Sequence, residues 1–217
     1  MVSKLKLIYA YDPLCGWCYG MIPALEHFCA IEPDVEIEVL PGGLFTGTPA
    51  RSYLSLISHI RSAEVRLEQV TGRRPSEAFH AMISANGGID ASSERPSHAV
   101  LQMNKLAPDR SLEFAHRLQE VHYEEGKDLN LPETYDEICA SLGMPLLDTE
   151  AIVGATLADP EIEQAYRQCA ALRPHGYPTI FIVDLKNTIV GVVPSTYDPK
   201  GFVNEFHAIL HSHSHSN

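Results

Sequence analysis

Apolar and polar positions along the 217 residues follow two rhythms. Leu5 to Tyr11 is nearly all apolar, the pattern of a strand buried on both faces. Val35 to Leu40 sets Val35, Ile37 and Val39 against Glu36 and Glu38, a period of two that predicts a second strand. Between them, about Cys15 to Ile31 predicts a helix stopped by Pro33, and Pro41-Gly42-Gly43 ends the second strand. Helical spacing takes over from Arg51 to about Ala158. Tyr53, Leu54, Ile57 and Ile60 form one stripe, closed by Gly72. Ala78, Phe79, Met82 and Ile83 form another, closed by Asn86-Gly87-Gly88. Val100, Met103 and Leu106 follow Ser97 as a cap, Leu112 to Val121 follow Asp109, and Ile138 and Leu142 end at Gly143.

After this block Asp159-Pro160 opens a new helix, with Asp as cap and Pro in the first turn. Strands are predicted over Thr179 to Val183 and Thr188 to Val193, joined by a tight turn. Asp198-Pro199 starts a last helix that buries Phe202, Val203, Phe206 and Ile209, and the polar stretch from His211 to Asn217 reads as a loose tail. The first part can supply a parallel strand pair through a helical crossover, and the last a hairpin with a covering helix. The expected organisation is a discontinuous α/β domain (1–50 and 159–210), a helical insertion (51–158) and a flexible tail (211–217).

Composition narrows the function classes. Apolar residues make up 45%, enough for a substantial core. Acidic residues outnumber basic ones 28 to 16, for a net charge of -12, and no basic stripe reverses that field, so neither nucleic acid nor an anionic membrane is an expected partner. No apolar run approaches a membrane span. Lys4 and Lys6 precede an apolar stretch too short for a signal peptide, and the expectation is a cytoplasmic protein. The five cysteines, of which Cys29, Cys139 and Cys169 stand alone, do not form a secreted disulfide framework.

The candidate chemistry lies in "YDPLCGWCYG", Tyr11 to Gly20. Cys15 and Cys18 fall at a strand-to-helix junction, where first-turn N–H groups are unpaired and the helix dipole favours a thiolate. The Cys15 thiol is therefore expected below its ordinary pKa, and the spacing brings the second sulfur within disulfide reach. That combination supports attack, mixed-disulfide formation and release. A structural zinc site would need four ligands, usually as two pairs, and no second pair is present. Haem attachment would need a His where Tyr19 stands. Two inert core cysteines remain the third reading.

The segment "DPLCGWCYG" resembles the thioredoxin superfamily, and more closely the FrnE-type members of its DsbA-like branch. Pro23, eight residues after Cys15, matches the helix kink of thioredoxin-like proteins. "GYPTIFIVD" (Gly176 to Asp184) is similar to their strand entered through a cis-proline, and the helical block lies where DsbA-like proteins carry theirs. The resemblance spans the chain except its tail. It implies a thioredoxin fold with an all-helical insertion, Cys15 as nucleophile, Cys18 as resolving thiol, Pro178 as the cis-proline and Tyr177 as the residue whose backbone meets an extended substrate. Trp17 is expected either at the mouth of the site, as an apolar contact surface, or folded back on the insertion.

Two departures from the family bear on the chemistry. Gly16-Trp17 carries no His to stabilise the thiolate, which suggests a less oxidising pair, and Tyr9 stands where many relatives keep a buried acid; Asp12 reads as a turn residue. The function expected is disulfide reduction or isomerisation on disulfide-containing proteins or small thiols such as glutathione, with no cofactor and no metal. The alternatives are a glutathione-dependent isomerase or transferase of the same fold branch, in which a serine replaces Cys15, and a non-catalytic peptide-binding module.

Overall fold

The computed structural model describes residues 5–47, 51–85 and 89–214. Its main sheet is built from β1 (Lys6–Tyr11), β2 (Glu36–Pro41), β5 (Thr179–Val183) and β6 (Ile189–Val193) in the order β2-β1-β5-β6. β2 runs parallel to β1, reached through helix α1 (Gly16–Ile31), while β5 and β6 form the antiparallel half. The register places Ala10 opposite Thr179. The segment just before Thr179 is thereby carried to the end of β1, where the chain turns toward the two cysteines.

β1 is buried on both faces, which explains its unbroken apolar run. Leu7, Tyr9 and Tyr11 join the core beneath α1 and α9 (Pro199–Ser214), where Phe28 meets the ring edges of Phe202 and Phe206. Ile8 and Ala10 face the other way, with Phe181 and Val183, against Ala165 and Cys169 of α8 (Pro160–Ala171). The Asp159 carboxylate accepts the Glu161 N–H and caps α8 as its sequence predicts.

The intervening block is helical: α2 (Tyr53–Thr71), α3 (Glu77–Ser84), α4 (Glu94–Leu106), α5 (Ser111–Tyr123), α6 (Pro132–Leu142) and α7 (Thr149–Gly154). Gly72 closes α2 with φ 72°, the left-handed conformation that costs a glycine little. The core beneath α1 continues without a break through Phe79, Phe114 and Ile138, so these helices share the sheet's core.

Several details differ from the sequence expectation. Arg51–Ser52 (β3) pairs with Asp90–Ala91 (β4) in a small second sheet, because two backbone segments meet where no pattern in either announces it. α4 begins before Ser97, which is buried inside it. Pro96 is accommodated in its first turn, where no N–H is needed, and the Ser93 hydroxyl before it bonds elsewhere. α7 carries no long stripe and was not expected. α9 runs on to Ser214, so His211 to Ser214 are helical rather than a loose tail; the Ser212 hydroxyl donates to the Ile209 carbonyl, keeping polar side chains compatible with the helix. The stop at Asn86-Gly87-Gly88 and residues 215–217 lie outside the described residues.

Candidate active site

Cys15 occupies the N-cap of α1 in extended conformation, with φ -86° and ψ 112°. Its carbonyl accepts the N–H groups of Cys18 (3.0 Å) and Tyr19 (3.1 Å), which starts the helix. No acidic side chain occupies the first turn. The Cys15 thiol donates to the Tyr177 carbonyl at 3.4 Å. Cys18 sits one turn further in, with no exposure, against 5% for Cys15. Burial pushes the Cys18 thiol well above its ordinary pKa; the neighbouring Cys15 sulfur adds to this and the Asp12 N–H opposes it.

The Tyr177–Pro178 peptide is cis, and the loop carrying it lies beside Cys15. On the far side of the sheet the Tyr177 hydroxyl donates to the Gly42 carbonyl at 2.7 Å and lies 4.0 Å from Cys169 Sγ.

The loop from Asp12 to Cys15 is held from three directions. The buried Asp12 carboxylate accepts from Leu14 N–H (2.9 Å), the Ser93 hydroxyl (3.1 Å) and Leu44 N–H (2.6 Å). Burial lifts this carboxyl to about 6, and the same donors limit the rise. From α5, the Gln119 amide nitrogen lies 3.3, 3.2 and 3.2 Å from the carbonyls of Asp12, Pro13 and Cys15. The Tyr123 hydroxyl donates to the Leu14 carbonyl at 2.6 Å. Tyr123 also stacks on Tyr19, over whose ring the Arg73 guanidinium lies at 4.1 Å.

Beside Cys15 a cavity of about 150 Å³ opens between α1 and α2. Leu14, Trp17, Phe45, Leu67 and Phe79 form much of its apolar wall, and Tyr53 and Glu64 contribute polar groups.

No protein-family model and no curated protein matches the sequence. Solved structures do. A candidate protein disulfide isomerase from Nitrosomonas europaea superposes with TM-score 0.78 at 19% identity, over 97% of this chain and 99% of its own. The cytosolic disulfide reductase DsbM from Pseudomonas aeruginosa superposes with TM-score 0.76 at 24% identity, over 95% and 99%. Its form with GSH gives 0.73 at 25%, again over 95% and 99%. The chain has the DsbA-like thioredoxin fold. A 2-hydroxychromene-2-carboxylate isomerase also shares the architecture, with TM-score 0.63 at 14% identity over 97% and 98%.

Within this DsbA-like frame the structure gathers Cys15, Cys18, Tyr177 and Pro178 at one end of the sheet. Trp17 takes an intermediate position: it is half-buried, lines the cavity and leans on Tyr197, with ring centroids 5.6 Å apart at 44°. Cys15 is less open to solvent than a helix-end thiol was expected to be, because α2 and the proline loop cover it from both sides. His175 is exposed on the loop ahead of Tyr177, Cys29 is half-buried, and Cys139 lies in the core away from the dithiol. Burial raises the thiol of Cys139, and that of Cys169 to about 11, so neither is poised to attack.

Gln119, Tyr123 and Gly42 carry no sequence signal for the site. Gly42 makes the most direct test. A Cβ there would lie 2.2 Å from the Tyr177 ring, which is wedged against that backbone. Gly42→Ala must displace the ring, and with it the carbonyl that receives the Cys15 thiol. The expected result is a loss of about 1–3 kcal/mol in stability, the cost of overpacking, with the reaction of Cys15 with a disulfide probe slowed at least about tenfold. Urea unfolding and the rate of mixed-disulfide formation measure both; an unchanged protein would mean the ring moves aside freely.

Proposed function

We propose that this protein is a thiol–disulfide oxidoreductase that attacks disulfides through Cys15 and resolves the product through Cys18. The observation that carries the reading is the unequal placement of the two thiols. One caps a helix and borders a cavity; the other is buried one turn behind it. The likeness to DsbM, a disulfide reductase solved with GSH, supports the same chemistry.

The Cys15 thiolate displaces one thiolate from a substrate disulfide, which leaves with a proton from solvent, and forms a mixed disulfide. Cys18 then attacks the Cys15 sulfur and releases the second half as a thiol. The protein ends with a Cys15–Cys18 disulfide, and an external thiol must return two electrons to restart it. Substrates are disulfide-bonded proteins or small-thiol disulfides such as that of glutathione, with Trp17, Tyr177 and Pro178 as contact residues. With Gly16-Trp17 between the cysteines, no imidazolium stabilises the reduced form. The direction inferred is therefore reduction, in a reducing compartment such as the cytoplasm.

Equilibration against glutathione buffers, followed by alkylation and intact mass, tests this. Cys15 and Cys18 should lose their thiols together, with a midpoint well below about -120 mV, the strongly oxidising DsbA value, while Cys29, Cys139 and Cys169 stay alkylatable after denaturation. A pair that stays reduced at every poise overturns the proposal. Glutathione-dependent turnover of a small molecule with both thiols reduced throughout would replace it with the isomerase or transferase reading.

A further inference from the structure

The cavity beside Cys15 is polar in a one-sided way. Among the described residues, no Lys or Arg side chain lines it. Glu64 reaches it from α2 with only 6% exposure, and its Oε2 is buried without a hydrogen bond. His80 Nε2 lies 3.0 Å from that oxygen but is too poorly aligned to donate to it. Arg74 lies 3.6 Å from the other oxygen, Oε1, and is shared with Glu68. Arg73 is committed to Glu124 and Glu120. A buried carboxylate oxygen with an unused lone pair is costly unless a donor reaches it.

Tyr53 presents a second acceptor. His122 Nδ1 is 3.1 Å from the Lys127 carbonyl, which can only accept, so Nδ1 carries the proton. Nε2 is then the acceptor, and the Tyr53 hydroxyl 3.0 Å away donates to it. With its hydrogen turned to His122, the Tyr53 oxygen has only lone pairs left for the cavity. Two acceptors, an apolar wall and the exposed His59 therefore surround a space next to the attacking sulfur. At about 150 Å³ that space suits one benzene-sized group and not a whole tripeptide.

We propose that this cavity selects small disulfides whose thiol half carries an ammonium or other N–H donor on a short apolar stem, and rejects those that place a carboxylate beside the sulfur; the carboxylates of a glutathione half lie beyond its cysteinyl stem, outside a space of this size. The ammonium would donate to Glu64 Oε2 while the stem packs against Leu67 and Phe79, presenting the adjacent sulfur to Cys15. A carboxylate in the same place would face the Glu64 carboxylate and the Tyr53 lone pairs, with no Lys or Arg among the described residues that line the space. This deepens the proposed function and rests on Cys15 being the attacking thiol.

The test is a single-turnover reaction of the pre-reduced full chain, which needs no recycling reductant. One disulfide is consumed, two small thiols are released, and Cys15–Cys18 becomes the disulfide. The probes are cystamine (cationic), 2-hydroxyethyl disulfide (neutral) and dithiodiglycolate (anionic). Each rate is divided by that of the same probe with free dithiothreitol to remove intrinsic reactivity. Cystamine should exceed dithiodiglycolate by at least tenfold. Glu64→Gln should cut that ratio at least fivefold, whereas Glu68→Gln, the same charge change outside the cavity wall, should leave it within twofold. A ratio below threefold in the unaltered protein overturns the proposal, even if Glu64→Gln fails to fold. So does a ratio that Glu64→Gln leaves unchanged, or that Glu68→Gln lowers as much. Failure of the underlying function looks different: 2-hydroxyethyl disulfide would leave Cys15 and Cys18 reduced.

Discussion

Replacing Cys18 with serine is expected to stop the reaction at a mixed disulfide on Cys15, and replacing Cys15 is expected to abolish it. The two thiols differ in what surrounds them. Cys15 caps α1 and borders the cavity. Cys18 is fully buried, and burial together with the Cys15 sulfur holds its thiol well above the ordinary pKa. A protonated, enclosed thiol is a poor first attacker, but it stands one turn from any bond that Cys15 forms. Cys18→Ser should therefore retain attack and accumulate covalent adducts with substrate or glutathione, visible on non-reducing gels and by intact mass. Cys15→Ser should lower insulin reduction to background, at least about 10³-fold, since removing a nucleophile removes the covalent route entirely. Serine at Cys29, Cys139 or Cys169 should cost only stability. A Cys15→Ser protein that still reduces insulin, or a Cys18→Ser protein without adducts while the unaltered protein turns over, would reverse the assignment.

Acid should destabilise the fold by about 4 kcal/mol between pH 7 and pH 4, with His116 and His122 contributing about equally and Asp12 offsetting part of the loss. His116 and His122 are buried, and burial lowers them to about 3 and about 4 from an ordinary 6.5; the Arg73 charge contributes at His116, while the Lys127 carbonyl and Asp128 partly oppose the fall at His122. Groups held below their unfolded pKa stabilise the fold above that value and lose the contribution as pH falls through the folded one. At pH 4 the unfolded chain has protonated both imidazoles, at a cost of about 3 kcal/mol each. Asp12 acts in the opposite sense. Its carboxyl is raised from 3.8 to about 6, so the folded state binds the proton first, and acidification returns about 2 kcal/mol. Around His116, Glu26 lies 4.0 Å from Nδ1 but is largely exposed, while Nε2 has no partner, so a proton there is only weakly compensated. Urea unfolding at the two pH values measures the difference, and His116→Leu should remove about 3 kcal/mol of it. Equal stability at pH 4 and pH 7, or a His116→Leu protein with the full dependence, would contradict this account.

The sequence by itself determined the four strands of the main sheet, most of the helices and the place of the dithiol, because those depend on neighbours along the chain. The unbroken run of β1, the Asp159-Pro160 start of α8 and the Cys15–Cys18 spacing are local signals, and each element forms where its signal stands. Where local cues were weak, as at the short α7, or shared by two positions, as at Ser93 and Ser97 before α4, boundaries shifted. Only the tertiary structure decided what holds the site. Gln119 lies 104 residues from Cys15, yet its amide gathers the carbonyls of the cysteine loop. Gly42 meets Tyr177 across 135 residues. Tyr53 takes its hydrogen-bond direction from His122, 69 positions away. Such pairings leave no period in the sequence. They arise when packing buries a carbonyl, a hydroxyl or a carboxylate, and a buried polar group must find its partner in whichever segment the fold has brought beside it.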